Sequence, residues 1–353
     1  MSPPATSMTR IPAIAGSGTP DMASDGAATL AEVRDLNVRF VTREAAVHAV
    51  NGVSFTVRAG EVLCILGESG SGKSVTLRAL MRLLPPRRTR IEGMVRVDGQ
   101  DVLAMPSRAL RDLRGGLVAM VFQEPMTALD PVYTVGQQIG ETVRRHIGCG
   151  RRAARARALE LLELVRIPSA ERRLDAYPHE LSGGLRQRAM IAMALSCNPR
   201  LLLADEPTTA LDATVQVQLL ILLRRLQREL GMGMIFVTHD LGVAAEIADR
   251  VAVMYAGRIV ESGPVAQVLG APAHPYTAGL LASTVHGQPR ERAIDAIPGS
   301  PPDLRRLPQG CSFAPRCARR MAGCRVTVPE PRFPAPDRMA ACVAVTGPGG
   351  GAN

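Results

Sequence analysis

The chain has 353 residues, a formal net charge of +10 and an apolar fraction of 46%, enough for an ordinary core in one large domain or two. It contains no apolar run of the roughly 18 residues that a membrane-spanning helix needs. Aromatic residues make up 3% and Trp is absent, so stacking platforms for nucleic acid are scarce despite the basic charge. Clusters such as Arg87, Arg88 and Arg90, or Arg151, Arg152, Arg155 and Arg157, read instead as solvated helix faces or as surface near an anionic leaflet.

Residues 1–28 are rich in Pro, Ala, Ser, Thr and Gly. They lack a basic start followed by an apolar stretch, which argues against a signal peptide and for a disordered tail. Residues 30–66 and 94–98 read as short strands separated by turns such as Asp98-Gly99, the antiparallel part of a larger α/β domain. The apolar run Val62-Leu63-Cys64-Ile65-Leu66 reads as a buried strand. After it comes Gly67-Glu68-Ser69-Gly70-Ser71-Gly72-Lys73-Ser74, and then Leu77, Leu80, Met81 and Leu84 at helical spacing. Strand, Gly-rich loop and helix are the context in which GxxxxGK[ST] cradles phosphates. Among 42 Lys and Arg residues, Lys73 is the only lysine. A compact ammonium fits inside a loop wrapped around a triphosphate, and a wide guanidinium fork does not. Lys73 is expected to reach the β- and γ-phosphates, and the Ser74 hydroxyl to hold Mg2+.

Residues 134–180 read as helical, with Leu159, Leu162 and Val165 as an apolar stripe on a basic helix. Leu181-Ser182-Gly183-Gly184 opens a further helix in which Ala189, Met190, Met193, Ala194 and Cys197 line one face. Ser-Gly-Gly at a helix N-terminus offers a second anion site. Two such sites with one nucleotide motif imply that a partner supplies the other half. The strand Leu201-Leu202-Leu203-Ala204 then delivers Asp205 and Glu206 at its C-terminal end, where open α/β sheets bind ligands. Asp205 is placed to hold Mg2+ and Glu206 to act as general base. Val215, Leu219, Leu222, Leu226 and Leu230 form the next helical run. Met234–Val237 and Val251–Tyr255 read as strands, and residues 264–284 as two short helices. From Pro298 on, Pro is dense and periodicity is lost, so this part needs another source of order.

The three motifs, in this order, resemble the nucleotide-binding subunit of an ABC transporter. The resemblance implies an α/β fold: a RecA-like P-loop NTPase core with an antiparallel β subdomain, a helical subdomain carrying the signature, and a small irregular extension. It implies that Gln123 is the Q-loop glutamine, sharing the Mg2+ with Ser74 and Asp205. Asp212 becomes the D-loop aspartate, His239 the switch histidine and Phe40 the aromatic that stacks on adenine. Leu185 stands where the family has Gln. The segment Glu124–Gly136 and His274-Pro275-Tyr276-Thr277 are similar to oligopeptide and dipeptide permease ATPases. The implied organisation is a tail at 1–28, a nucleotide domain at 29–265 with its helical subdomain near 134–197, and an extension at 266–353. The implied partners are two membrane permease subunits, an extracytoplasmic substrate-binding protein and a second ATPase, identical or a sibling. The implied location is the cytoplasmic face of the cell membrane. The competing reading is a soluble ABC ATPase acting on nucleic acid or ribosomes.

Cys311, Cys317, Cys324 and Cys342 crowd the last fifth with spacing C-x5-C-x6-C-x17-C. Structural zinc favours C-x2–4-C pairs, so the spacing fits zinc poorly. Four thiolates also suit a 4Fe-4S cluster, which members of the resembling branch can carry. Zinc and unligated thiols are the other readings.

Overall fold

The computed structural model describes residues 28–41, 45–283 and 296–345. The expected tail falls outside these residues except for Ala28. Two compact units emerge. One comprises, among the described residues, Ala28–Leu110, Leu203–Glu206 and the chain from Gly233 to the C-terminal end; the other comprises Arg111–Leu202 and Pro207–Met232. The extension after residue 265 thus shares a unit with the phosphate loop.

In the first unit, Thr29–Val41 pairs antiparallel with both Ala46–Arg58 and Thr89–Val97. One sheet face is covered, so Val33, Leu36 and Val38 are buried, and the alternation slips at the exposed Arg34 and Asp35, where the pairing with Ala46–Arg58 shifts register. Asp98 and Gly99 both take positive φ, 51° and 75°, the backbone that lets a two-residue turn join Thr89–Val97 to Gln100–Asp101.

The same unit holds the parallel sheet. Val62–Leu66 is buried along its whole length and runs parallel to Gly233–Thr238 on one side and Arg250–Tyr255 on the other. Continuous apolar runs, not alternating ones, are what a strand covered on both faces requires. Leu201–Asp205 lies next to Gly233–Thr238 in the sheet order. The sheet continues antiparallel from Arg250–Tyr255 into Arg258–Pro264, then Arg338–Ala340 and Arg332–Ala335. The Pro-rich C-terminal segment therefore finds its order in two ways. It adds strands to the sheet edge, and it inserts Phe313 among aromatics, with ring centroids 5.3 Å from Tyr255 and 5.4 Å from Tyr276. The carboxylate of Glu261, fully buried, fastens the join by accepting from the Ala273 and His274 amides at 2.8 and 2.9 Å and from Arg338 at 2.9 Å.

The helical unit contains Val135–Ile147, Arg151–Leu164, Ala170–Leu174, Gly183–Ala194 and Ala213–Leu230. Thr134 and Gln137 close the first of these with a reciprocal capping box. The predicted stripe needs a correction. On Arg151–Leu164 the buried face is Ala154, Ala158, Leu161 and Leu162, with Val165 just beyond, and Leu159 is only half-buried. The face follows i, i+4, i+7 spacing, and its small alanines hid it. Arg157, expected on a solvated face, is instead buried at 2% exposure, with its guanidinium donating to Glu160 and Asn198 at 3.1 and 2.8 Å. On Gly183–Ala194, Ala189 and Met190 are buried together with Ile191 and Ala192. Met193 and Ala194 are half-buried and Cys197 lies beyond the helix end.

Candidate active site

Lys73 opens the helix Lys73–Leu80 with its side chain 4% exposed. The loop before it closes tightly. A Cβ on Gly67 would stand 2.2 Å from the Met254 carbonyl, and one on Gly72 would stand 2.3 Å from the Ala49 carbonyl, so these positions have no room for a side chain. The Lys73 ammonium donates to the carbonyls of Gly67 and Glu68 at 2.8 and 2.9 Å. Burial pushes its pKa down, while Glu206 and Asp205 oppose the shift. Ser71, in the same loop, is buried, and its hydroxyl has no hydrogen-bond partner. Ser69 and Gly70 are exposed.

The two strand-end carboxylates converge on this loop. Asp205 is fully buried, and its Oδ1 accepts from the Ser74 hydroxyl at 2.7 Å. Its Oδ2 is buried without a hydrogen-bond partner, and the half-exposed Arg78 guanidinium stands 4.0 Å away. Burial raises the Asp205 pKa; the Ser74 hydrogen bond opposes it. A buried carboxylate with one idle oxygen beside a serine hydroxyl is an oxygen donor set suited to Mg2+. The residues present therefore fit that ion.

Glu206 adopts φ 47°, a left-handed conformation that costs a non-glycine residue of order 1–3 kcal/mol and gathers at functional sites. Its amide donates to the Val237 carbonyl at 3.0 Å, which ties the turn to the neighbouring strand. The strained turn presents the carboxylate to two partners. Oε2 lies 3.2 Å from His239 Nδ1, and Oε1 lies 4.0 Å from Lys73 Nζ. The structure thus brings Lys73, Ser74, Asp205, Glu206 and His239 together within one unit.

The remaining expected residues are placed separately. Phe40 is half-buried on Thr29–Val41, opposite Val47 and Thr89. Gln123 is exposed in the helical unit just after Val118–Val121. Ser182 is the N-cap residue of Gly183–Ala194, but its hydroxyl makes no cap bond, so it is available to an outside acceptor. Gly184 meets Val215 so closely that a Cβ would lie 2.8 Å from Cγ1. Asp212 turns inward to its own helix, accepting from the Val215 amide at 2.9 Å. Sequence reading missed Arg78, whose guanidinium faces Asp205; a basic residue one helical turn after Ser74 was the available signal.

The four C-terminal cysteines line one cavity of about 20 Å3, together with His274, Phe313 and Arg319. Burial and the neighbouring Cys324 and Cys342 raise the Cys311 and Cys317 thiols, while the Phe313, Ala314 and Arg319 amides oppose the shift by hydrogen bonding to their sulfurs. Among the described residues, no three His, Cys, Asp or Glu side chains are grouped to hold a single metal ion.

Residues 50–209 match the ABC transporter family, and residues 260–324 match the oligopeptide/dipeptide transporter C-terminal region. A Brucella melitensis protein, provisionally named a peptide import ATP-binding protein, is 53% identical across 84% of this chain and 92% of its own. The chain belongs to the ABC transporter ATP-binding family. A Sinorhizobium fredii relative, described as a probable peptide ABC transporter ATP-binding protein, is 49% identical across 89% of this chain and 94% of its own. A dimeric ATP-binding cassette solved in a post-hydrolysis state with ADP and Pi is 29% identical, covers 67% of this chain and 99% of its own, and superposes with a TM-score of 0.60. The expected fold and ATPase activity are thereby established for this ABC chain, and the reading of an ATPase acting on nucleic acid or ribosomes is set aside.

The ABC site predicts a separation of binding from turnover. Glu206→Gln should retain ATP binding while steady-state hydrolysis, assayed with the assembled partners, falls by ~10²–10⁴. Near-normal hydrolysis would remove Glu206 from the role of base.

Proposed function

We propose that this chain is the ATP-hydrolysing subunit of an importer for peptides or a related small solute. The observation that carries the reading is the match, in one chain, of residues 50–209 to the ABC transporter family and of residues 260–324 to the oligopeptide/dipeptide transporter C-terminal region. Lys73 and the loop from Gly67 to Ser74 hold the triphosphate, and Phe40 stacks on the adenine. Ser74 and Asp205, with Gln123 in its Q-loop role, would hold Mg2+, which would offset the charge of the phosphates. Glu206 accepts a proton from the attacking water, and His239 fixes the carboxylate through the 3.2 Å contact with Oε2. Ser182, Gly183 and Gly184 face the nucleotide of a second ATPase, whose own signature covers this one. The uncommitted Ser182 hydroxyl supports that role, and so do the free amides at the helix N-terminus. Asp212 belongs to the same interface.

No helix among the described residues is long and apolar enough to cross a membrane. In this proposal the energy of hydrolysis acts on separate membrane subunits. We place the chain on the cytoplasmic face of the cell membrane beside two permease subunits, fed by an extracytoplasmic substrate-binding protein. Cells deprived of this chain should lose growth on peptides as sole amino-acid source. The wild-type chain should restore it, and the Lys73→Ala chain should not. Restoration by Lys73→Ala would contradict the reading.

Cys311, Cys317, Cys324 and Cys342 are proposed as ligands of a 4Fe-4S cluster that braces the extension. The amide donors to Cys311 and Cys317, and the nearby Arg319, Arg320 and Arg325, suit an anionic cluster. Anaerobically purified protein should be brown, absorb broadly near ~400 nm and carry about four iron per chain. Colourless, iron-free protein from such a preparation would refute the assignment.

A further inference from the structure

One residue of the phosphate loop is held from far away in sequence. The Glu68 carboxylate accepts from Arg316 Nη1 at 2.8 Å, across a separation of 248 residues. The Glu68 amide donates to the Tyr276 hydroxyl at 3.0 Å. The Glu68 carbonyl accepts from Lys73 Nζ at 2.9 Å. Glu68 is thus a junction: two of its bonds come from the C-terminal segment, and the third leads to the lysine of the nucleotide site.

The anchors are themselves fixed. Arg316 is 7% exposed. Its Nε donates to the Pro298 carbonyl at 2.9 Å, and its guanidinium carbon stands 5.9 Å over the Tyr255 ring. Tyr276 is fully buried, its ring centroid 4.5 Å from that of Tyr255 and 5.4 Å from that of Phe313. Around Glu68 the loop is otherwise rich in glycine, a residue with a wide choice of backbone conformations. A loop that has to be ordered by its ligand binds more weakly than one already in place. A bare Glu68 carboxylate would also repel a triphosphate, and Arg316 offsets that charge.

We propose that Arg316 and Tyr276 are positioning residues for the phosphate loop, through which the four-cysteine segment governs affinity for ATP. The proposal rests on the reading of this loop as the nucleotide site. It gives the extension a task beyond bracing itself, because Arg316 directly precedes Cys317 and moves with it.

The test is a double-mutant cycle on the full chain. Its readouts are the Kd for a fluorescent, slowly hydrolysed ATP analogue with Mg2+ and the melting temperature of each variant. Arg316→Gln should weaken binding by about tenfold, within the usual range of coupling between sites. In a Glu68→Gln background the same substitution should change Kd less than about twofold, because the partner is gone. Arg316→Lys should recover part of the loss, since it restores the charge without the fork. A merely structural role would lower the melting temperature and the affinity equally in both backgrounds, and that result would overturn the proposal. If Arg316→Gln does not fold, Tyr276→Phe removes a single oxygen and should still weaken binding severalfold; an unchanged Kd there would also overturn it. A wild-type chain that binds no nucleotide would refute the nucleotide reading itself, and the positioning role with it.

Discussion

The buried carboxylate of Asp205 is the constraint around which the rest of the site is arranged. A strand of continuous apolar side chains carries it out of water, and the Ser74 hydrogen bond, the Arg78 guanidinium at 4.0 Å and the nearby Lys73 ammonium oppose that cost without cancelling it. An ionised group in such a place opposes folding unless a cation compensates it. Because its pKa is raised in the fold, ionising it disfavours the folded state as pH climbs through the carboxylate range. The chain tolerates this because the site is completed by its ligand. The Lys73 ammonium, the Ser74 hydroxyl and the strained Glu206 turn are all gathered beside this carboxylate, where the proposed Mg2+ would carry the compensating charge.

That arrangement also explains why so much of the site was legible. The phosphate loop, the strand-end carboxylates and the switch histidine are short local patterns, each at the end of a continuous apolar strand. The phosphate loop and the carboxylates were exposed by their own spacing, whereas the role of His239 came only from the resemblance to the ABC family. The coarse helical and strand elements followed for the same reason: long apolar runs and periodic faces have little choice of structure. Leu161 was overlooked because the face it shares with Ala154 and Ala158 carries little bulk. Phe40 stayed ambiguous because a half-buried aromatic on a strand satisfies core and ligand roles alike.

The C-terminal segment is where sequence reading had least purchase. Nothing local announces that Arg316 pairs with Glu68, or that Phe313 packs on Tyr255 and Tyr276. These contacts join residues far apart in the chain, and a Pro-rich stretch carries no periodicity from which to infer them. The cysteine pattern announced a special site but not its cavity. In the fold this segment extends the sheet edge and reaches the phosphate loop.

The most direct measurement is a comparison of wild-type and Asp205→Asn chains, with and without Mg2+, by thermal melting and ATP titration. Asparagine keeps the acceptor for Ser74 and removes the charge. The account predicts that Asp205→Asn melts higher than wild type, by ~2–4 °C for each kcal/mol relieved, while its ATP affinity no longer responds to Mg2+. A variant that melts lower and still binds ATP in a Mg2+-dependent manner would contradict the claim that this carboxylate is held in the fold for the metal–nucleotide.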